Sequence, residues 1–174
     1  GGGSGGGGAT TCQPEAADFY VAPNGNDSNS GDFAHPFATL DKLWSVLTPG
    51  SLAYLRGGTY QFTKQQYLVG VNGTAAQKIR VWAYPCETPV LTRATNWVKP
   101  ANQWHRGGIF FTGNFFHLKG WEVTGFVQTD NSVESGFLAY DANDNVFEQF
   151  NVHHNGHGFY LENDSSRNVL LNTD

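Results

Sequence analysis

The sequence contains no methionine, only two cysteines, and only 10 Lys and Arg beside 15 Asp and Glu in 174 residues. So few cations, at a net charge of −5, exclude nucleic acid as a partner, because its phosphates require clustered Lys and Arg. No apolar run approaches the roughly 18 to 20 residues that cross a bilayer as a helix, so no membrane span is expected. The Leu, Ala, Glu and Lys usage of a helical protein is also missing. With no initiator Met and no apolar signal segment, residue 1 is expected to follow a removed signal or to lie inside a longer chain. The chain has instead 22 Gly, 13 Phe, 7 Tyr and 5 Trp. That composition is turn-rich and aromatic-rich, with length for one domain and its core.

The two cysteines, Cys12 and Cys86, form no CxxC pair. They read as two buried thiols or as a Cys12–Cys86 disulfide in a secreted protein. Sequons at Asn26, Asn72 and Asn163 are glycosylation candidates and also fit a secreted chain. Gly1 to Gly8 is a coil with nothing to bury. Composition assigns 1–17 to a Gly-rich flexible linker or N-terminal segment, natural or engineered, and 18–174 to one domain.

Asp18 to Ala22 is the first strand expected. The following Asn/Asp/Gly-rich run to Gly31 reads as a structural loop, since it lacks the spacing of a calcium-binding EF-hand loop. Thr39 to Leu47 reads as a helix: Leu40, Leu43, Trp44 and Leu47 make one apolar stripe, Thr39 is a plausible N-cap, and Pro49-Gly50 ends it. Ser51 to Leu55 is the next strand, and within the segment Lys78 to Leu91 a further strand, with Ile79, Val81 and Ala83 alternating against Arg80, Trp82 and Tyr84, is ended by Pro85. TYQF and the polar residues after it receive no strand. Thr92 to Arg106 has no period and reads as a long loop leaving the body of the fold.

From Gly107 the pattern becomes regular. Three segments each open on Gly and an apolar pair, turn at Asn or Asp, and run into a second strand. Leu118, Phe147 and Leu170 would be equivalent, at separations of 29 and 23 residues. Short strands recurring at that spacing are the pattern of a stacked solenoid, here a parallel β-helix capped by the N-terminal helix. Asn at recurring corners suits left-handed backbone and allows side chains to bond one another along the axis.

The segments FYVAPNGNDSNSGDFAHPFATLDKLW and LAYLRGGTY are similar to the N-terminal cap of secreted right-handed β-helix proteins. RVWAYPCETPVL resembles the strand and turn that follow, with Cys86 where Gly is usual. FFHLKGWEVTG and NVFEQFNVHHNGHGFYLENDSSRNVLLNTD resemble later coils. In this order they look most like the pectate lyases of polysaccharide lyase family nine, over Asp18 to Asp174. The resemblance implies an all-β, right-handed parallel β-helix. It also implies an extracellular, calcium-dependent lyase that cleaves pectate or polygalacturonate by β-elimination, with a lysine as base. Leu171-Asn172-Thr173-Asp174 matches the start of the family's ligand motif, with Thr173 for Cys, and so implies Asp174 as a calcium ligand. The other ligands and the base have no counterpart in these residues, and Lys119 falls in a corner that is structural in the family. A last coil left open at Asp174 is expected to be covered by further chain, by another chain or by self-assembly.

Other constellations weigh less. In His153, His154 and His157, neighbours on a strand face opposite ways, so a turn role outranks a transition-metal site. Glu122, Glu134, Glu148 and Glu162 read as solvated charge rather than a hydrolase pair. Trp82, Trp97 and Trp104 suit either sugar stacking or packing. The alternative to the lyase is a non-catalytic extracellular structural or adhesive β-helix subunit, such as a filament component.

Overall fold

A computed structural model describes residues 12–99, 107–128 and 134–174. Its strands, in chain order, start with β1 (Phe19–Val21), then helix α1 (Leu40–Trp44), β2 (Leu52–Leu55), β3 (Gly58–Lys64) and β4 (Gln66–Leu68). Next come β5 (Ile79–Ala83), β6 (Pro89–Val98), β7 (Gly107–Phe111), β8 (Phe116–Lys119) and β9 (Glu122–Thr124). The last are β10 (Ser135–Tyr140), β11 (Val146–Glu148), β12 (Asn151–His153), β13 (His157–Glu162) and β14 (Val169–Leu171).

They pair in parallel into three sheets: β1-β2-β5-β8-β11-β14 (sheet A), β3-β6-β9-β12 (sheet B) and β4-β7-β10-β13 (sheet C). Each turn of chain passes A, then B, then C, and the result is a right-handed parallel β-helix. The expected equivalence holds, with Phe147 beside Leu118 on one side and Leu170 on the other. No helix among the described residues is long and apolar enough to cross a membrane.

Alternation decides which side chains face the coil interior. Ile79, Val81, Leu118, Val123 and Phe147 are fully buried. Aromatic rings fill the axis: Phe137 stacks on Phe159 at 4.9 Å, and Trp121 on Phe150 at 5.5 Å. Helix α1 closes the first coil from above. Leu40, Leu43 and Trp44 are buried, and Trp44 lies flat on Phe116 at 5.6 Å. Thr39 caps it as expected, its Oγ1 accepting from the Lys42 amide at 3.1 Å. The helix is shorter than its apolar stripe. Ser45 Oγ donates to the Lys42 carbonyl and the Val46 amide bonds Leu43, so the last turn tightens before Leu47, which is still buried.

Two expectations about strands are corrected. The segment after Arg56 forms β3 and β4, with Tyr60 and Phe62 turned inward. Residues 92–98 are strand rather than loop, because β6 continues along β3 past the coil. The register shifts between Phe62 and Lys64, which destroys the alternation that sequence reading relies on. Residues 100–106, Trp104 among them, lie outside the described residues.

Asn side chains fasten the coils. Along the A-side corner, the Asn114 amide donates to Asn72 Oδ1, Asn143 to Asn114 Oδ1, and Ser166 to Asn143 Oδ1, at 2.7–2.9 Å. Left-handed backbone at this corner belongs to the next residues, Phe115, Asp144 and Arg167, not to the Asn themselves. Among the described residues, only Asn163 and Asn172 meet that expectation directly. The recurring Gly has a related cause. Asn155 sits where a Cβ on Gly136 would be, 2.6 Å away, and from there bonds the Phe126 amide and the Val123 carbonyl.

Candidate functional site

Residues 12–17 cross the outside of sheet A as a strap. Cys12 is joined to Cys86 by a disulfide across 74 residues, which decides between the two readings of the cysteines. The Glu15 amide donates to Tyr54 Oη at 3.1 Å, and Arg80 bonds Glu15 at 3.0 Å. Beneath lies an outward aromatic cluster of Tyr20, Tyr54, Trp82 and Tyr84.

Between this strap and the corner joining sheets A and B runs a groove of about 700 Å³. Gln13, Glu15, Trp82, Tyr84, Glu87, Lys119, Glu122, Gln149 and Asn151 line it. Asn151 pairs with Glu122 across the sheet. The Asp174 amide donates to Phe150 O at 2.9 Å and its carbonyl accepts from Val152 at 2.8 Å, the hydrogen bonds of a parallel partner to Asn151. Glu122, Asn151 and Asp174 therefore form one outward column, with exposed Asp174 as its last rung.

Charge beside the column is paired. Lys119 Nζ lies 2.9 Å from Glu148 Oε1, and His117 Nε2 lies 2.8 Å from Glu148 Oε2. Glu122 contacts His153 Nε2 at 3.2 Å. Burial is the largest influence on both His117 and Glu148. It lowers the imidazole pKa, with the hydrogen bond and charge of Glu148 acting against it. It pushes the Glu148 carboxyl up, but bonds from Lys119 and His117 together hold it below its usual value. Both groups then bind fewer protons folded than unfolded, so their stabilisation is full above pH ~6.5 and is lost as pH falls through the lowered values. Melting temperature is expected to fall as pH drops below ~6, with a shallower fall in His117→Gln. An identical pH profile in the variant would contradict this pairing.

The scattered acids are thus not simply solvated. Glu148 is only 16% exposed and Glu134 only 5%, the latter 2.7 Å from Lys99. Coil stacking brings side chains 29 residues apart into contact, and that separation was the available signal for Lys119 with Glu148. His154 occupies a left-handed turn position, its Nδ1 2.6 Å from His153 Nδ1, while His157 lies on β13. Trp82 and Trp97 are half-buried, Trp97 packed edge-on against Phe126. Of the sequons, Asn26 and Asn72 are exposed and, among the described residues, bond only through Oδ1, whereas Asn163 donates its Nδ2 to Asp141.

These residues do not by themselves hold calcium. The ion takes 6–8 oxygens at 2.3–2.6 Å, so two of its ligands lie within ~5 Å of each other. Glu122 is two strand spacings from Asp174, about 10 Å, and is engaged by His153. No group of three or more His, Cys, Asp or Glu able to hold a metal occurs among the described residues.

The profile of the Pel9A-like right-handed beta helix region matches residues 19–174. The chain belongs to that family. It is 30% identical over 166 residues to pectate lyase L of Dickeya dadantii, covering 90% of this chain and 36% of the relative. Pectate lyase Pel9A superposes with a TM-score of 0.68 at 29% identity, over 90% of this chain and 38% of its own. A rhamnogalacturonan lyase superposes at 0.69 with 31% identity, over 82% and 38%. The Pel9A-like chain thus spans little more than a third of the length of these relatives and is a polysaccharide-lyase-like β-helix.

Proposed function

We propose that this Pel9A-like β-helix serves an extracellular, calcium-dependent polysaccharide lyase that cleaves uronate-containing pectic polysaccharide by β-elimination. The supporting observation is Asp174, exposed at the end of an outward column that runs beside a groove in a chain related to pectate and rhamnogalacturonan lyases. Asp174 is proposed as one oxygen ligand of the calcium site, and neighbouring coils of the full-length protein as the source of the others. The base comes from there too, since Lys119 is held by Glu148. Asn26 and Asn72 are the proposed glycan acceptors. The expected result is release of unsaturated product from polygalacturonate or rhamnogalacturonan by the full-length protein, abolished by chelator. A protein that leaves both polymers uncut with calcium present sinks the reading.

A further inference from the structure

The groove at the A/B corner carries an inference that rests on the lyase reading and refines its substrate. Four charged side chains line its wall: Glu15, Glu87, Glu122 and Lys119. Each already faces an opposite or hydrogen-bonding partner within the fold. Glu15 meets Arg80 at 3.0 Å, Glu87 meets Arg56 at 2.8 Å, Glu122 meets His153 at 3.2 Å, and Lys119 meets Glu148 at 2.9 Å. Three of the four are carboxylates. A uronate entering here finds one ammonium, which it would have to take from Glu148, and three carboxylates already matched by Arg80, Arg56 and His153, so the wall offers it no cation of its own. Desolvating a carboxylate without a partner is strongly unfavourable.

What the groove does offer is hydroxyl chemistry. Gln13, Gln149 and Asn151 line it, and their side-chain amides make no hydrogen bond among the described residues. Each amide has both a donor and an acceptor end, which matches sugar hydroxyls. Trp82 and Tyr84 add apolar wall, the surface on which the C–H face of a pyranose packs. The column Glu122, Asn151, Asp174 connects this groove to the proposed calcium ligand, which lies one strand spacing, about 5 Å, beyond Asn151.

We infer that the groove is a subsite for a neutral pyranose, so that the preferred substrate carries uncharged sugar residues near the cleaved uronate rather than an unbroken polyuronate run. The distinction is one functional group. α-1,4-Galactotriose and trigalacturonate share ring stereochemistry and linkage and differ by a hydroxymethyl in place of each carboxylate.

The test uses both trisaccharides on the disulfide-intact chain in the presence of chelator, followed by the indole N–H resonance of Trp82, assigned from Trp82→Phe. Galactotriose is expected to shift that resonance with an affinity on the order of millimolar, and trigalacturonate to bind at least about tenfold more weakly. Asn151→Trp, an exposed strand position, fills the groove and is expected to weaken galactotriose at least about tenfold with melting temperature unchanged. Equal or tighter binding of trigalacturonate overturns the inference. So does a Trp82 resonance unmoved by galactotriose, or binding indifferent to Asn151→Trp. No turnover occurs in chelator, so these outcomes are separate from product release by the full-length protein, whose absence would overturn the lyase reading instead.

Discussion

Cys12→Ser is expected to lower the melting temperature by on the order of 10 °C. The bond closes a loop of 74 residues, for which chain-entropy arguments give roughly 4 kcal/mol, with measured disulfides commonly at 2–4. A domain of this size shifts by roughly 2–4 °C per kcal/mol. The effect also has a location. Cys12 anchors the strap that covers Tyr54 and supplies Gln13 and Glu15 to the groove. In the variant, amide exchange is expected to accelerate first at Glu15 and then along β1 and β2, before the later coils. Calorimetry of oxidised and reduced protein checks the magnitude, and equal melting temperatures would refute it.

The second large effect is expected at Asn145, 1% exposed. Its Oδ1 accepts from the Phe116 amide at 2.8 Å, and its Nδ2 donates to the Gly113 carbonyl at 2.9 Å and to Asn168 Oδ1 at 3.0 Å. Alanine here leaves a buried amide and a buried carbonyl without partners, at roughly 1–3 kcal/mol each. The expected loss is about 3–5 kcal/mol. Asn168 occupies the same rung one coil later, donating to the Ala142 carbonyl at 2.7 Å and accepting from the Asn145 amide at 3.1 Å, but it is only half-buried, so water replaces part of what it gives. Asn168→Ala is expected to cost roughly 1 kcal/mol. Urea midpoints of the two variants measure the contrast; equal losses would show that stacking position, not burial, sets the ladder's worth.

These two sites also show what sequence could reveal. Leu118, Phe147 and Leu170 announced a coil because each rung repeats an apolar inward residue, and the Asn-rich corners announced stacked side chains. Burial within a corner did not show, since Asn145 and Asn168 look alike as letters. β6 was hidden for a different reason, the register shift at Phe62, which removes the alternation by which strands are recognised. Resemblance pointed to Asp174, yet its place in a column with Asn151 and Glu122 depends on where the chain crosses from sheet A to sheet B. The groove was illegible because its wall joins residues from 13 to 151, brought together by the strap and by successive coils.

The central claim is that Asp174 stands at the edge of a calcium-dependent lyase site. Its most direct test is calorimetric calcium titration of the full-length protein and of its Asp174→Ala variant, alongside release of unsaturated product. The account predicts at least about a tenfold loss of calcium affinity, a matching loss of product release at limiting calcium, and an unchanged melting temperature in chelator. Calcium affinity and product release unaltered by Asp174→Ala would contradict it.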